Sequence, residues 1–398
     1  MLITREDIAL LEKVILPGIL SGVPKASVVL SMMTRLPNMT TGQEVMRVDD
    51  VLPQAYWVNG DTGTKQTTMA AWDKVLIKAE EVAVIVPISE AVLADADYDI
   101  LGAIQPKIEE AFGRVIDEAI IFGKNKPAGF RNDIITSARN AGNNVQIPAS
   151  NPNMYDLLLE KGGVISKVEE AGYMPNGVVA GLTMRANLRG IKDSNGQPIF
   201  NKNGMQERTQ YALDGLPMFF PENGGFDSSI TPLIVGDWKQ AVYSIRQDIT
   251  IKLLTEGVIT DPNDSNKILY NLAQQDMVAL RVVLRMGWAL PNPATALDPD
   301  RTNFPFAYLE AKSGQSYDTR TVTFTVKDDA STPAAIKGAR VTLNGTALLT
   351  DEDGKVVFNM PAGTYPYRVT KQGKVTQTAD ITVGSSAVTK TITLAKRA

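Results

Sequence analysis

The hydrophobic period of this chain changes near residue 315, and that change constrains its fold more than any other feature. Before it, helix-like and strand-like spacings alternate. After it come short segments with apolar residues at every second position, separated by turn residues. A period of 3.6 lines one helix face and a period of 2 lines one sheet face, so a switch of period marks a switch of architecture. The first part is predicted to be α+β and the second an all-β sandwich. The stretch 296–315 holds Pro299, Pro305 and Gly314 and is predicted to be a linker between them. At 398 residues, two or three domains of roughly 150 residues are expected.

Two residue types are missing altogether: the chain has no cysteine and no histidine. That removes disulfides, thiolate nucleophiles, Cys/His zinc sites and histidine general bases. No enzyme activity is expected, and no catalytic, metal or cofactor-binding residue is assigned. From Ser316 onward there are 11 Lys and Arg against 7 Asp and Glu, net +4, and the remainder carries 29 against 37, net −8. Neither balance is the strongly basic footprint expected of a direct nucleic-acid binder. No apolar run approaches the roughly 20 residues of a membrane span, so no membrane partner is expected. The start, MLITREDIALLEKVILPG, lacks the pattern of a signal peptide.

Arg5 to Leu16 suits a short amphipathic helix that Pro17 and Gly18 end, and residues 21–50 show little periodicity and read as an extended arm. A long hairpin is expected next. Val51 to Val58 leads out, Asn59-Gly60-Asp61-Thr62-Gly63-Thr64 turns, and Lys74 to Val82 returns with Val75 and Ile77 on one face. A two-stranded ribbon of that length is marginal alone in water, which points to a neighbouring subunit beneath it. VAVIVPI (Val82 to Ile88) is an apolar strand. From about Gln105 a long helix runs to Phe122, with Pro106 in its first turn and Gly123 closing it. Ile108, Phe112, Val115 or Ile116, Ala119 and Ile120 form its apolar stripe. Glu109, Glu110, Asp117 and Glu118 are placed on its solvated or interface face. Helical signals at Met154 to Ala171 and up to Arg189 flank a short buried strand, GVVAG, at Gly177 to Gly181. Asp193 to Gly196 is a turn, Pro232 to Gly236 a strand, and Val242 to Thr255 a hairpin or one bent strand. Asp276 to Trp288 is a strand that carries Arg281 and Arg285. The acidic run Asp95 to Asp99 fails as a calcium loop, because Ile100 and Pro106 stand where Gly and Glu are needed.

This order of elements resembles the major capsid protein family of tailed phages, the Hong Kong ninety-seven type or Johnson fold. The stretch Val82 to Gly123 carries the resemblance most specifically, with Pro87, Ser89, Leu93, Asp117, Ala119 and Gly123 at the family's motif positions. Pro127-Ala128-Gly129-Phe130, Gly190 to Gly196, Leu213-Asp214-Gly215-Leu216-Pro217 and Gly236-Asp237-Trp238 resemble further family motifs in the same order. The resemblance implies an N-arm at 1–50, an extended loop at 51–82 and a peripheral domain with its spine helix at 83–153. It implies an axial domain at 154–240 and a return to the peripheral domain at 241–295.

It also implies partners: copies of itself in hexamers and pentamers, a separate scaffolding protein, a portal, and packaged double-stranded DNA touched without sequence specificity on the inner face. Trp57, Asn59, Asp61, Lys65, Trp72, Arg281 and Arg285 are the candidate inter-subunit contacts, the two arginines facing acidic residues of a neighbour or DNA. Cross-linking family members use a loop lysine, an asparagine and a glutamate. Lys65 fits, but Asp276 and Val283 occupy the other two places, so no cross-link is expected.

Residues 316–398 resemble bacterial Ig-like modules, with turn signals every 8–12 residues or so. The last strand lacks the asparagine of an internal isopeptide bond, so none is expected. The module is expected on the outer surface of a shell. The function these features imply is that of a virion shell subunit, assembled in the bacterial host cytoplasm. The alternatives are an encapsulin-like compartment shell and a surface adhesion protein with an Ig-like module.

Overall fold

The computed structural model describes residues 26–58, 64–95, 100–130, 133–148, 150, 152–191, 212–246, 250–261, 264–311 and 319–397. The helix expected at Arg5 to Leu16 and the turns at 59–63 and 193–196 lie outside the described residues.

A five-stranded sheet is built around Met277–Ala289. Glu80–Ser89 runs antiparallel along one edge, in register from Met277 opposite Ser89 to Met286 opposite Glu80. Val242–Ile245 and Thr250–Leu254 follow each other along the other edge, which makes Val242 to Thr255 a bent strand and not a hairpin. Thr34–Arg35 adds a short parallel strand outside Val242 and Tyr243. Leu280, Val282, Leu284, Met286 and Trp288 share one core with the helix Ile100–Phe122.

That helix buries Ile108, Phe112, Ile116, Ala119 and Ile120, the stripe its spacing predicts, and leaves Val115 exposed. Gly123 ends it at φ 65°, donating its N–H to the Ala119 carbonyl at 3.1 Å. Its start differs from expectation. The helix begins at Ile100, so Pro106 lies inside it and not in the first turn. An interior proline lacks an N–H for the carbonyl four residues back and crowds that carbonyl, so this turn is held by packing and not by propensity.

Asp117 also departs from expectation: it is fully buried, not solvated. The short helix Val28–Met32 ends on it. Ser27 caps that helix by accepting from the Leu30 N–H at 3.0 Å, and donates its own hydroxyl to Asp117 at 2.5 Å. The Asp117 carboxylate also accepts from the N–H groups of Val28 and Val29 and from Asn223. The first N–H groups of a helix have no partner inside it, and here a carboxylate from the long helix supplies one. The crossing is tight. A Cβ at Gly113 would lie 2.8 Å from the Ala26 backbone carbon. The arm predicted to be extended therefore contains a helix docked on the spine.

The second sheet has six strands, in the order Asn144–Gln146, Phe306–Glu310, Leu233–Gly236, Gly177–Ala180, Leu216–Phe219 and Ala212–Leu213. One face packs on helices Met154–Leu159, Val164–Glu170 and Leu182–Arg189 through Leu158, Val168, Met184 and Leu188. Phe306 and Tyr308 on the other face enter the core of the five-stranded sheet. Burial on both faces is why GVVA and LIVG read as unbroken apolar runs. Phe306–Glu310 corrects the linker assigned to 296–315. It pairs antiparallel with Leu233–Gly236 and parallel with the edge strand Asn144–Gln146, one strand in from the edge of the sheet.

Residues 320–394 form seven strands in two stacked sheets. Three are Lys355–Met360, Arg320–Asp328 and Val388–Leu394. Four are Thr346–Leu349, Arg340–Leu343, Gly363–Thr370 and Gln377–Val383. Their inner faces share a core of Val322, Phe324, Val341, Phe358, Val369, Ile381 and Leu394. Phe324 and Phe358 meet edge to face at 6.0 Å.

Two predictions follow from this packing. Phe306→Ala should lower stability in chemical denaturation by about 3–5 kcal/mol, the cost of truncating a fully buried aromatic; a loss below about 1 kcal/mol would mean that the strand is not part of the core. Burial pushes the Asp117 carboxyl up to about 6, against the pull of its hydrogen-bond donors. A raised carboxyl favours the fold most when protonated. The stability of the natural chain relative to Asp117→Asn should therefore fall as pH rises from about 4 through 6, by up to roughly 3 kcal/mol, and then level off. A relative stability that rises over the same window contradicts it.

Candidate assembly interface

Two antiparallel strands, Gln43–Val51 and Ala71–Lys78, form a ribbon that leaves the five-stranded sheet. The outgoing strand lies eight residues earlier than the Val51 to Val58 expected, and the returning strand ends at Lys78, not Val82. Val48 pairs with Asp73, Met46 with Val75 and Glu44 with Ile77. Glu44, Met46 and Val48 therefore share a face with Ile77, Val75 and Asp73, as the alternation around Val75 and Ile77 implies, and Asp50 sits in the register break that follows.

The root of the ribbon is apolar. Ile77 and Met46 pack with Met39, Val242, Leu36 and Ala289. Gly287 gives the ribbon room, since a Cβ there would lie 2.7 Å from both Ile77 and the Lys78 carbonyl. Further out the ribbon becomes acidic, and Asp50 and Asp73 meet one guanidinium. Arg301 donates to Asp50 at 3.2 Å and Asp73 at 3.1 Å, and its other nitrogens donate to the carbonyls of Asn292 and Pro291. Asn292 in turn accepts from the Tyr173 hydroxyl at 2.6 Å. Both Asn292 and Arg301 hold left-handed backbone, at φ 42° and 57°, which a non-glycine residue adopts only when its surroundings fix it. Burial works to raise the Asp73 carboxyl, but the Lys74 N–H, Arg368 and Arg301 outweigh it and hold the group below the ordinary carboxylate range.

Beyond the stem the ribbon is bare. Trp57 is 103% exposed, Met69 74% and Trp72 68%. Tyr56, Val58 and Val51 are exposed as well, and Val45 is exposed nearer the root, opposite Leu76. Trp57 and Trp72 together leave on the order of 300–400 Å² in water, and covering it is worth roughly 10 kcal/mol as an upper bound. Apolar surface of that size on one projection marks an interface. Lys65 is exposed near the outer end of the ribbon, while Asn59 and Asp61 lie outside the described residues. A second exposed ribbon, Val258–Asp261 with Asp264–Asn271, presents Val258, Ile268, Leu269 and Tyr270. No sequence signal had separated it from the neighbouring strands.

The other two candidates sit apart from the ribbon's outer end, on the face of the five-stranded sheet opposite the long helix. Arg281 is exposed, with Ile85 and Lys252 as its cross-strand neighbours. Arg285 lies 3.5 Å from Glu81 of its own chain, and both side chains remain partly exposed. The sequence-based reading missed Asp50, Asp73 and Arg301. Its only available signal was the parity of Asp73 with Val75 and Ile77, which places a charge on a buried face. Among the described residues no group of three or more carboxylates is arranged to hold a metal ion.

The chain was compared with known proteins. Residues 9–297 match the model of the phage capsid family. The major capsid protein of Staphylococcus phage 80alpha is 27% identical over 235 residues, covering 59% of this chain and 67% of that protein. A solved chain from Microbacterium phage Oxtober96 is 31% identical, with 72% of this chain and 91% of that one covered at a TM-score of 0.61. One from Mycobacterium phage Adephagia is 28% identical at the same coverage and TM-score. The capsid of a native GTA particle shares the fold at 16% identity and a TM-score of 0.52, with 72% of this chain and 90% of that one covered. With its two sheets, long helix and projecting ribbon covered by a match that spans most of its length, the chain belongs to the phage capsid family.

Proposed function

We propose that this chain is the repeating subunit of a tailed-phage head, closing through hexamers and pentamers into an icosahedral shell of the Hong Kong ninety-seven type around double-stranded DNA. The observation that carries this reading is the outer half of the ribbon, where Trp57 and Met69 stand in water beyond the paired strands and Trp72 is exposed on the returning strand opposite Asp49. A second copy is the surface available in quantity to cover them. The absence of histidine and cysteine supports an assembly role and not turnover. The two-sheet unit at 320–394 is the Ig-like module, and its seven strands around one core support that assignment. A scaffolding protein and a portal act with the shell during assembly in the host cytoplasm, and no inter-subunit cross-link forms.

The test is negative-stain microscopy of the protein produced with and without its scaffold. Closed shells or capsomers are expected. Replacing these three residues together (Trp57→Ser, Met69→Ser, Trp72→Ser) should leave the subunit folded by circular dichroism and abolish shells, because each subunit loses the apolar area its neighbour would cover. Normal shells from the triple variant, or a natural chain that stays a monomer under every condition, would end this proposal.

A further inference from the structure

We infer that the C-terminal two-sheet unit braces the assembly ribbon, fixing its direction relative to the shell subunit, in addition to any role it has as a displayed module. The ribbon has two anchor points. One is the apolar root around Ile77 and Met46. The other is the acidic pair Asp50 and Asp73. Asp73 lies four residues beyond Ile77, about 13 Å along a strand. A single point of attachment lets a ribbon pivot, whereas two separated points set its axis.

The second anchor is shared with the C-terminal unit. Arg340 donates to Asp50 at 2.6 Å and Arg368 to Asp73 at 3.0 Å, while Arg301 grips both from the other side. Asp50, Arg301 and Arg340 keep only 14%, 12% and 16% of their side-chain surface in water. Partly buried pairs in a network are screened less by salt than isolated surface pairs, and the rigid fork of arginine fixes geometry as well as charge.

The contact is ionic and not a merged core. A cavity of about 450 Å³ lies between the two bodies, bordered by Lys74, Leu76 and Trp288 on one side and Pro366, Tyr367 and Asp380 on the other. The unit is steadied from a different direction by the helix Ile134–Asn140, where Asn140 accepts from the Asn359 N–H at 2.8 Å and Thr346 meets Ser137 at 3.3 Å. It thus bridges the subunit body and the ribbon.

The test uses the full chain, unassembled, and hydrogen exchange in the ribbon strands 43–51 and 71–78. Arg340→Ala with Arg368→Ala should speed exchange there at least tenfold, while strands 355–360 and 363–370 stay protected. Lys337→Ala with Glu352→Ala, a pair on the same unit but away from the ribbon, should change nothing. Asp73→Asn should loosen the ribbon similarly, and adding Arg368→Ala to it should add little, as partners in one contact require. Ribbon exchange within twofold of the natural chain in the double-arginine variant, or fully additive effects of Asp73→Asn and Arg368→Ala, would overturn the brace. A second readout rests on the shell function proposed above: the same arginine variant should give particles of mixed diameter. Since exchange is measured before assembly, a chain that forms no shells would sink the shell function and leave the brace decided by its own data.

Discussion

Two strands cannot bury both of their faces: the strands 43–51 and 71–78 hold each other by their backbone ladder, and what fixes the pair to the body comes from outside the ribbon. Its root borrows a small apolar cluster from the edge of the five-stranded sheet. Its middle is held by a guanidinium that is itself tied to the chain leaving that sheet. At its outer end Gln54 donates its N–H to Thr68 at 2.9 Å, and Trp57 stands wholly in water. A folded monomer rarely keeps a projection of this kind, because the apolar area costs free energy until something covers it. The rest of the molecule is arranged as a platform that aims the projection.

The platform depends on a second contact between distant segments. Asp117 sits on the long helix and completes the N-terminus of the helix Val28–Met32, about 90 residues earlier in the chain. Glycine at 113 lets the two backbones touch. Desolvating a carboxylate is expensive, and four donors around it offset much of that cost. The position of the arm is thereby tied to the long helix, the element that carries the sheet from which the ribbon departs. The two sheets also share core residues: Phe306 and Tyr308 of the six-stranded sheet lie in one cluster with Leu284 of the five-stranded sheet, Ile116 of the long helix and Trp238.

Much of this was legible in the sequence wherever periodicity and capping agree. From Val82 to Gly123 an apolar strand, a helical stripe and a closing glycine follow in order, and those elements are present. The tryptophans at 57 and 72 were named as contacts through the family resemblance, which places this stretch in a loop over a neighbour. Other features were hidden for physical reasons. Phe306–Glu310 is short, apolar on both faces and preceded by prolines, so it carries no alternation and reads as a connection. Gln43–Val51 alternates in burial but not in residue type, because Gln43-Glu44, Val45-Met46 and Asp49-Asp50 break the polar–apolar pattern, and the hairpin was displaced outward as a result. Asp117 was placed in water because a helical carboxylate is solvated by default. The cluster of Asp50, Asp73, Arg301, Arg340 and Arg368 joins positions up to 295 residues apart, and no local pattern brings them together.

Hydroxyl-radical footprinting of Trp57 and Met69 before and after assembly tests the central claim most directly, since both side chains stand free in the single subunit. Strong protection of both residues in closed particles, with little change at Trp238 and Tyr308, which are already buried within the subunit, is the expected result. Equal labelling of Trp57 in free and assembled protein would mean that no neighbour covers the ribbon, and would contradict the account.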